Sequence, residues 1–283
     1  MPNLVPLATQ PDLFIPDISF LRPKALRDLS ATNWFSLSKL PRHTPIAHSL
    51  SDTTTVTVTN ATGRGIATIY DHDILIFIVS AYVAAINSGR PTSPTMLFTG
   101  YELDRFLRPF SKSRPDRLFY ERVWASLQRL HTTHVHVRLP TSESQFYWLP
   151  HITRTRRRIS PDERTGYVVA LDPALYAMAT NVQNSLTLDH GYFSLTSPLA
   201  RFVYLWARKS IGYRPTVEWS ESVDRIYSKS ASLEHPRKFL ARLRRTVADA
   251  RIPGYELSLT YGRNHALQLT ARRAPLKLPA SHQ

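Results

Sequence analysis

The chain has 283 residues, 42% hydrophobic and 11% aromatic, enough for one large or two ordinary domains with real cores. Its 36 Lys+Arg against 21 Asp+Glu leave a net charge of +15, which favours a polyanionic partner because each neutralised phosphate releases condensed counterions. With no cysteine, disulfides, thiolate zinc sites and a cysteine nucleophile are excluded, and the longest apolar run, Ile74 to Ile86, is too short for a bilayer. The N-terminal MPNLVPLATQPDLF lacks the charged-then-apolar order of a signal peptide, so a soluble, cytoplasmic, nucleic-acid-facing protein is expected.

Residues 1–30 hold five prolines and no long period, which predicts an extended arm anchored by Phe14, Ile15, Ile18, Phe20 and Leu21. Thr53 to Thr59 alternates as a strand. Asp71 then precedes a strongly apolar helix over about 72–87, stopped by Ser88-Gly89 and Pro91, and both Asp71 and Asp73 read as capping residues. Thr99 and Glu102 form a capping box for a short helix to Leu107. Asp116 opens a third helix, whose Phe119, Val123, Leu127 and Leu130 share one face. Strands follow at His134 to Leu139 and Gln145 to Thr155 around the turn Thr141–Ser144, then Tyr167 to Leu171 and a short helix from Pro173 to about Ala179.

The second half repeats this order. Ser197-Pro198 opens a helix that Gly212 stops. Ser220 to Tyr227 reads as a short second helix. His235 to Ala250 is a third, with Phe239, Leu243, Val247 and Ala250 inward. Tyr255 to Tyr261 and Ala266 to Arg272 alternate as strands around the turn Gly262–His265. Long helix, short helix, basic helix and hairpin, twice, predict an α+β fold of two tandem winged-helix domains. The expected division is an N-terminal arm (1–30), a first domain (31–188) and a second domain (189–283).

The helix from His235 places Arg237, Lys238, Arg244 and Arg245 opposite its apolar face, with Arg242 on the flank and Ala241 between. Such a face suits a major groove, where arginine forks read guanine and other cations grip phosphates. It also suits a solvated basic surface, but its place after a short helix and before a hairpin favours DNA. At the hairpin tip Arg263, Asn264 and His265 suit a minor-groove wing or a plain turn. In the first unit Arg114, Arg117, Arg122 and Arg129 project from the third helix, interrupted by Glu121. The Arg154, Arg156, Arg157, Arg158 cluster suits phosphate contact or a solvated loop. Trp124, Trp206 and Trp219 sit among apolar neighbours and read as core.

GIATIYDHDILIFIVSAYVAAINSGRP (65–91), LTLDHGYFSLTSPLARFVYLWARKSIG (186–212), FSLSK (35–39) and LQRLHTTHVHV (127–137) resemble the replication initiator protein A family of plasmids. The likeness runs from about Phe14 to Gly254, whereas HPRKFLARLRR follows the family plan only loosely. The resemblance implies a plan like that of iteron-binding initiators. These are winged-helix proteins that bind direct repeats in double-stranded origin DNA, promote its opening and recruit host replication proteins such as a helicase or its loader. It also implies a possible homodimer through the first domain, and a nucleoid- or plasmid-associated location. A winged-helix transcriptional repressor is the alternative that fold alone does not separate.

His134-Val135-His136 raises a third possibility, a rolling-circle nickase with Tyr204 as nucleophile beside Arg208 and Lys209. The triplet alone is weak, and Glu121 and Glu143 are the nearest carboxylates in sequence. No catalytic residue, metal or cofactor is therefore expected, and no phosphate loop of Walker type is present.

Overall fold

The computed structural model describes residues 13–275 apart from Phe20, Ala31, Pro41, Asp52 and the segments 160–161, 213–216 and 263–264; of residues 156–164 no side chain is described. Residues 1–12, Arg263 and Asn264, and the side chains of Arg156, Arg157 and Arg158, therefore lie outside the described part, as does the expected anchor Phe20.

The architecture is mixed α+β. Short strands β1 (Leu13–Phe14) and β2 (Lys24–Leu26) lead into the hairpin β3 (Ile46–Ser49) and β4 (Thr55–Asn60). Helix α1 (His72–Asn87) follows, then β5 (Thr95–Thr99), α2 (Gly100–Leu107) and α3 (Arg117–Thr132). Four strands come next: β6 (Thr133–Arg138), β7 (Glu143–Tyr147), β8 (His151–Ile159) and β9 (Asp162–Ala170). The chain continues through α4 (Pro173–Thr180), β10 (Ser185–Thr187), α5 (Pro198–Ile211), β11 (Glu218–Ser222), α6 (Val223–Ser230), α7 (Pro236–Asp249), β12 (Tyr255–Tyr261) and β13 (Leu267–Arg273).

Two units repeat. In the first, α1, β5, α2 and α3 precede the hairpin β8–β9, and β5 pairs antiparallel with β9 to give the order β5-β9-β8. In the second, α5, β11, α6 and α7 precede β12–β13, and the order is β11-β13-β12. The strand between the first two helices thus completes each sheet by pairing with the last strand of the hairpin. Neither β5 nor β11 is expected from sequence, and Ser220–Ser222, expected in a helix, lies in β11. The cap of α6 is Ser222, whose hydroxyl accepts from the Arg225 N–H. Glu221 is drawn into the sheet because its buried carboxylate receives the Trp206 indole N–H at 2.7 Å.

The first unit carries an insertion. Strands β6 and β7 leave the unit's own sheet and join the early hairpin in the order β3-β4-β6-β7. The expected strand from Gln145 to Thr155 is therefore two strands in two sheets. Trp148 and Leu149 are both fully buried, which a strand with one wet face does not allow, and Pro150 ends the ladder. The hairpin that corresponds to β12–β13 is β8–β9, not the pair beginning at His134.

Helix α1 is buried on nearly every face, and for that reason it has no polar stripe. Phe77 meets Phe98 and Phe106, Tyr82 meets Tyr176 and Phe14, and Ser80 accepts the Lys24 N–H at 2.7 Å. One continuous core joins both units. Arg201 of α5 reaches across to Asp73 of α1 at 2.6 Å, and the Arg42 guanidinium donates to the Ala231 carbonyl at 2.6 Å. Among the described residues no helix is long and apolar enough to cross a membrane.

Candidate nucleic-acid interface

Helix α7 is built by local signals. Pro236 occupies its first turn, and the His235 ring accepts the Arg237 N–H at 3.2 Å. Phe239, Leu243 and Thr246 are buried, with Leu240 and Val247 half-buried beside them. The Phe239 ring stands edge-on to Tyr227, whose hydroxyl donates to the Glu234 carbonyl at 2.8 Å. That bond fixes the corner between α6 and α7, so the outer face of α7 is presented from a rigid base.

On that face Arg237, Lys238, Ala241, Arg244 and Arg245 are exposed. The four cations have no acidic partner among the described residues. Arg242 differs: its guanidinium holds Glu234 at 2.7 Å and is only about a third exposed, so it braces the helix start. Arg251, just past the helix, is also exposed. Sequence reasoning omitted it because it follows the last periodic position.

The hairpin beside α7 contributes His265, exposed and in the left-handed region at φ 54°. Tyr261, at the end of β12, is 72% exposed and was not singled out from the sequence. Arg272 is paired with Glu256 at 2.7 Å, and Arg273 donates to the Gly212 carbonyl at 3.5 Å. Trp206 is core as expected, and Trp124 is half-buried against Tyr167. Trp219 is not core. It stands 46% exposed because β11 is the edge strand of its sheet, with no neighbour to cover that side.

The first unit's third helix is a different surface. Arg117 and Arg122 are exposed on α3, but so is Leu118, and Glu121 is taken by Arg154 at 2.9 Å; Arg114, expected on this helix, is exposed in the segment before its Asp116 cap. Arg129 is committed inward: its Nε and Nη2 donate to the Asp71 carboxylate at 2.8 and 2.7 Å. Asp71 therefore does not cap α1 with its side chain. It also accepts the Thr68 N–H at 2.7 Å, tying the turn before α1 to α3. Asp73, the other expected cap, is paired with Arg201 instead. Burial pushes its carboxyl up, to about 6, against the pull of the Arg201 guanidinium. Arg201 in turn donates to the Leu195 carbonyl at 2.8 Å and lies over the rings of Tyr70 and Tyr192.

The residues of the nicking alternative are dispersed. The His134 ring packs against Tyr147, and His136 meets Glu143 at 3.2 Å, a carboxylate that also receives Arg138 at 2.6 Å. Among the described residues no group of three or more His, Asp or Glu side chains is placed to hold a metal. Tyr204 is 1% exposed, and its hydroxyl oxygen accepts the Asp189 N–H at 2.7 Å. Burial pushes this phenol's pKa up, the opposite of what a nucleophile needs. Arg208 is buried too, donating to the Thr187 carbonyl at 2.6 Å.

A repeated helix, strand, two helices and hairpin in an α+β chain defines the class, and solved structures share it. Domains 2 and 3 of RctB superpose with a TM-score of 0.62, covering 87% of this chain and 98% of that one at 13% identity. A second crystal structure of RctB domains 2-3 gives a TM-score of 0.53 over 82% and 91% at 11% identity. A protein of Wigglesworthia glossinidia brevipalpis, provisionally described as a replication protein, is 24% identical over 201 residues, 69% of this chain and 71% of its own. The model of the family "Replication initiator protein A" matches residues 24–257. The chain belongs to that family of replication initiators.

Proposed function

We propose that the chain starts plasmid replication by binding direct repeats in double-stranded origin DNA, with both repeated units acting as winged helices. The second unit is the principal reader. The observation that carries this is the exposed face of α7: four cations without acidic partners among the described residues, around a small Ala241, on a helix locked from behind and flanked by a hairpin. A helix of this kind fits the major groove, with β12–β13 beside the neighbouring phosphates or minor groove. Residues 31–188 and 189–283 are the two functional domains in this reading. The first supplies auxiliary backbone contacts and the surface for a homodimer. Opening of the adjacent DNA and recruitment of a host helicase or its loader follow from the same reading, with no catalytic step by the chain itself and a nucleoid-associated location.

Binding-site selection tests it: the full chain is mixed with random and plasmid-derived duplexes at physiological salt, and what it retains is sequenced. One short motif occurring as direct repeats beside an AT-rich segment is the expected result. A single palindrome over a promoter points to a repressor instead. Retention without any motif overturns specific reading by α7.

A further inference from the structure

A cleft of about 720 Å³ opens in the first unit, with Phe193 and Arg201 on its wall from the segment at and before α5. Its floor is apolar, made by Ile74 of α1, Leu103 of α2, Phe119 and Val123 of α3, and Phe193 from the segment before α5. Five cations line it against two carboxylates. Two of the cations, Arg129 and Arg201, are already balanced by Asp71 and Asp73 in its wall. Arg108 is held by Asp104. Lys39 and Arg122, exposed and with no acidic partner among the described residues, remain for a ligand.

We propose that this cleft is a binding site for a small organic anion with an apolar body, seated on the first unit where Phe193 and Arg201 pack against it. Concave, mostly apolar walls with a few polar groups are what such ligands require, and the volume is in the usual range. A duplex is too broad to enter the cleft, and the floor has too much carbon for a phosphate site. The excess of positive charge selects an anion over a neutral or cationic guest.

A ligand held here also touches Phe193 and Arg201, and so bears on the segment that leads into the second unit. This inference does not depend on α7 reading DNA.

The test uses the full chain and two probes, 1-anilinonaphthalene-8-sulfonate and its uncharged parent N-phenyl-1-naphthylamine. The sulfonate is expected to bind saturably at one site, more tightly than the parent. Combining Lys39→Glu with Arg122→Glu, both at exposed positions, is expected to weaken the sulfonate about tenfold or more and leave the parent within about twofold. Ala125→Trp projects into the cleft and is expected to abolish both, with its fold checked by thermal melting. If that variant melts early, the double charge reversal decides alone. Unchanged sulfonate affinity in the charge-reversed chain overturns the proposal. So does stoichiometric displacement of the sulfonate by a duplex of any sequence, which makes the α3 wall a nucleic-acid surface.

Discussion

Replacing Arg237, Lys238, Arg244 and Arg245 together by Gln tests the proposed DNA-reading face most directly. All four side chains are exposed and none holds an acidic partner among the described residues, so the folded state loses little, within about 0.5 kcal/mol per site. Binding to duplex DNA loses up to four phosphate contacts. Each contributes about 0.9 to the slope of log affinity against log salt, so the slope is expected to fall by roughly 3 to 4 if all four meet phosphate. Single Ala variants separate the roles. One that makes a bidentate base contact is expected to cost about 1–3 kcal/mol on the cognate site and little on random duplex. A phosphate contact weakens both alike. Arg242→Ala serves as the internal control, because this guanidinium is spent on Glu234. Its loss is expected to lower stability by up to about 1 kcal/mol and to leave the slope nearly unchanged. Fluorescence anisotropy across a salt series reads all of these. An unaltered slope and affinity in the quadruple variant would falsify the placement of α7 in the groove.

Asp73→Ala leaves the Arg201 guanidinium buried with only backbone carbonyls and two rings, and is expected to cost about 3–5 kcal/mol in urea unfolding. Combining it with Arg201→Met should recover most of that loss; strict additivity of the two changes refutes an energetic coupling across the units. His72 is fully buried against Phe35, and burial holds its imidazole down, to about 3 from 6.5. Below about pH 6.5 the unfolded chain binds a proton that the native chain refuses. The stability His72 contributes above that pH is therefore lost on acidification toward 3, at about 1.4 kcal/mol per pH unit. His72→Phe preserves the stack and is expected to remove that part of the acid slope; an identical pH profile in the two proteins refutes the assignment. Tyr204→Phe removes the hydroxyl that accepts the Asp189 N–H in a part-buried hydrogen bond and is expected to cost about 0.5–1.5 kcal/mol. Supercoiled origin DNA should be handled as by the parent chain, whereas a metal-dependent cut lost in this variant would restore the nicking reading.

Local chemistry made much of the fold legible. The run 72–87, the Thr99–Glu102 box, the Asp116 cap, Ser197-Pro198 and the helix from His235 all appear where periodicity and caps place them. The basic outer face of α7 was legible for the same reason, since 100° per residue assigns its two sides without any tertiary knowledge. The strands were harder. Five-residue segments such as Thr95–Thr99 and Glu218–Ser222 carry too little pattern to declare themselves, and their partners β9 and β13 lie far along the chain. The break at Trp148-Leu149-Pro150 is invisible in an alternation that is correct on both sides of it.

By itself the sequence determined most of the helices, the caps at Thr99, Asp116 and Ser197, the net positive charge and the face of α7 that meets solvent, because each of these rests on composition or on residues within one or two turns. Only the tertiary structure decided how the charges are spent. Arg129 finds Asp71 across 58 positions and Arg201 finds Asp73 across 128, so two apparent caps and one apparent phosphate contact became braces. An ion pair between distant segments leaves no period in either of them. Its partners are chosen by which buried charge would otherwise stand alone, and that is settled only when those segments pack against each other.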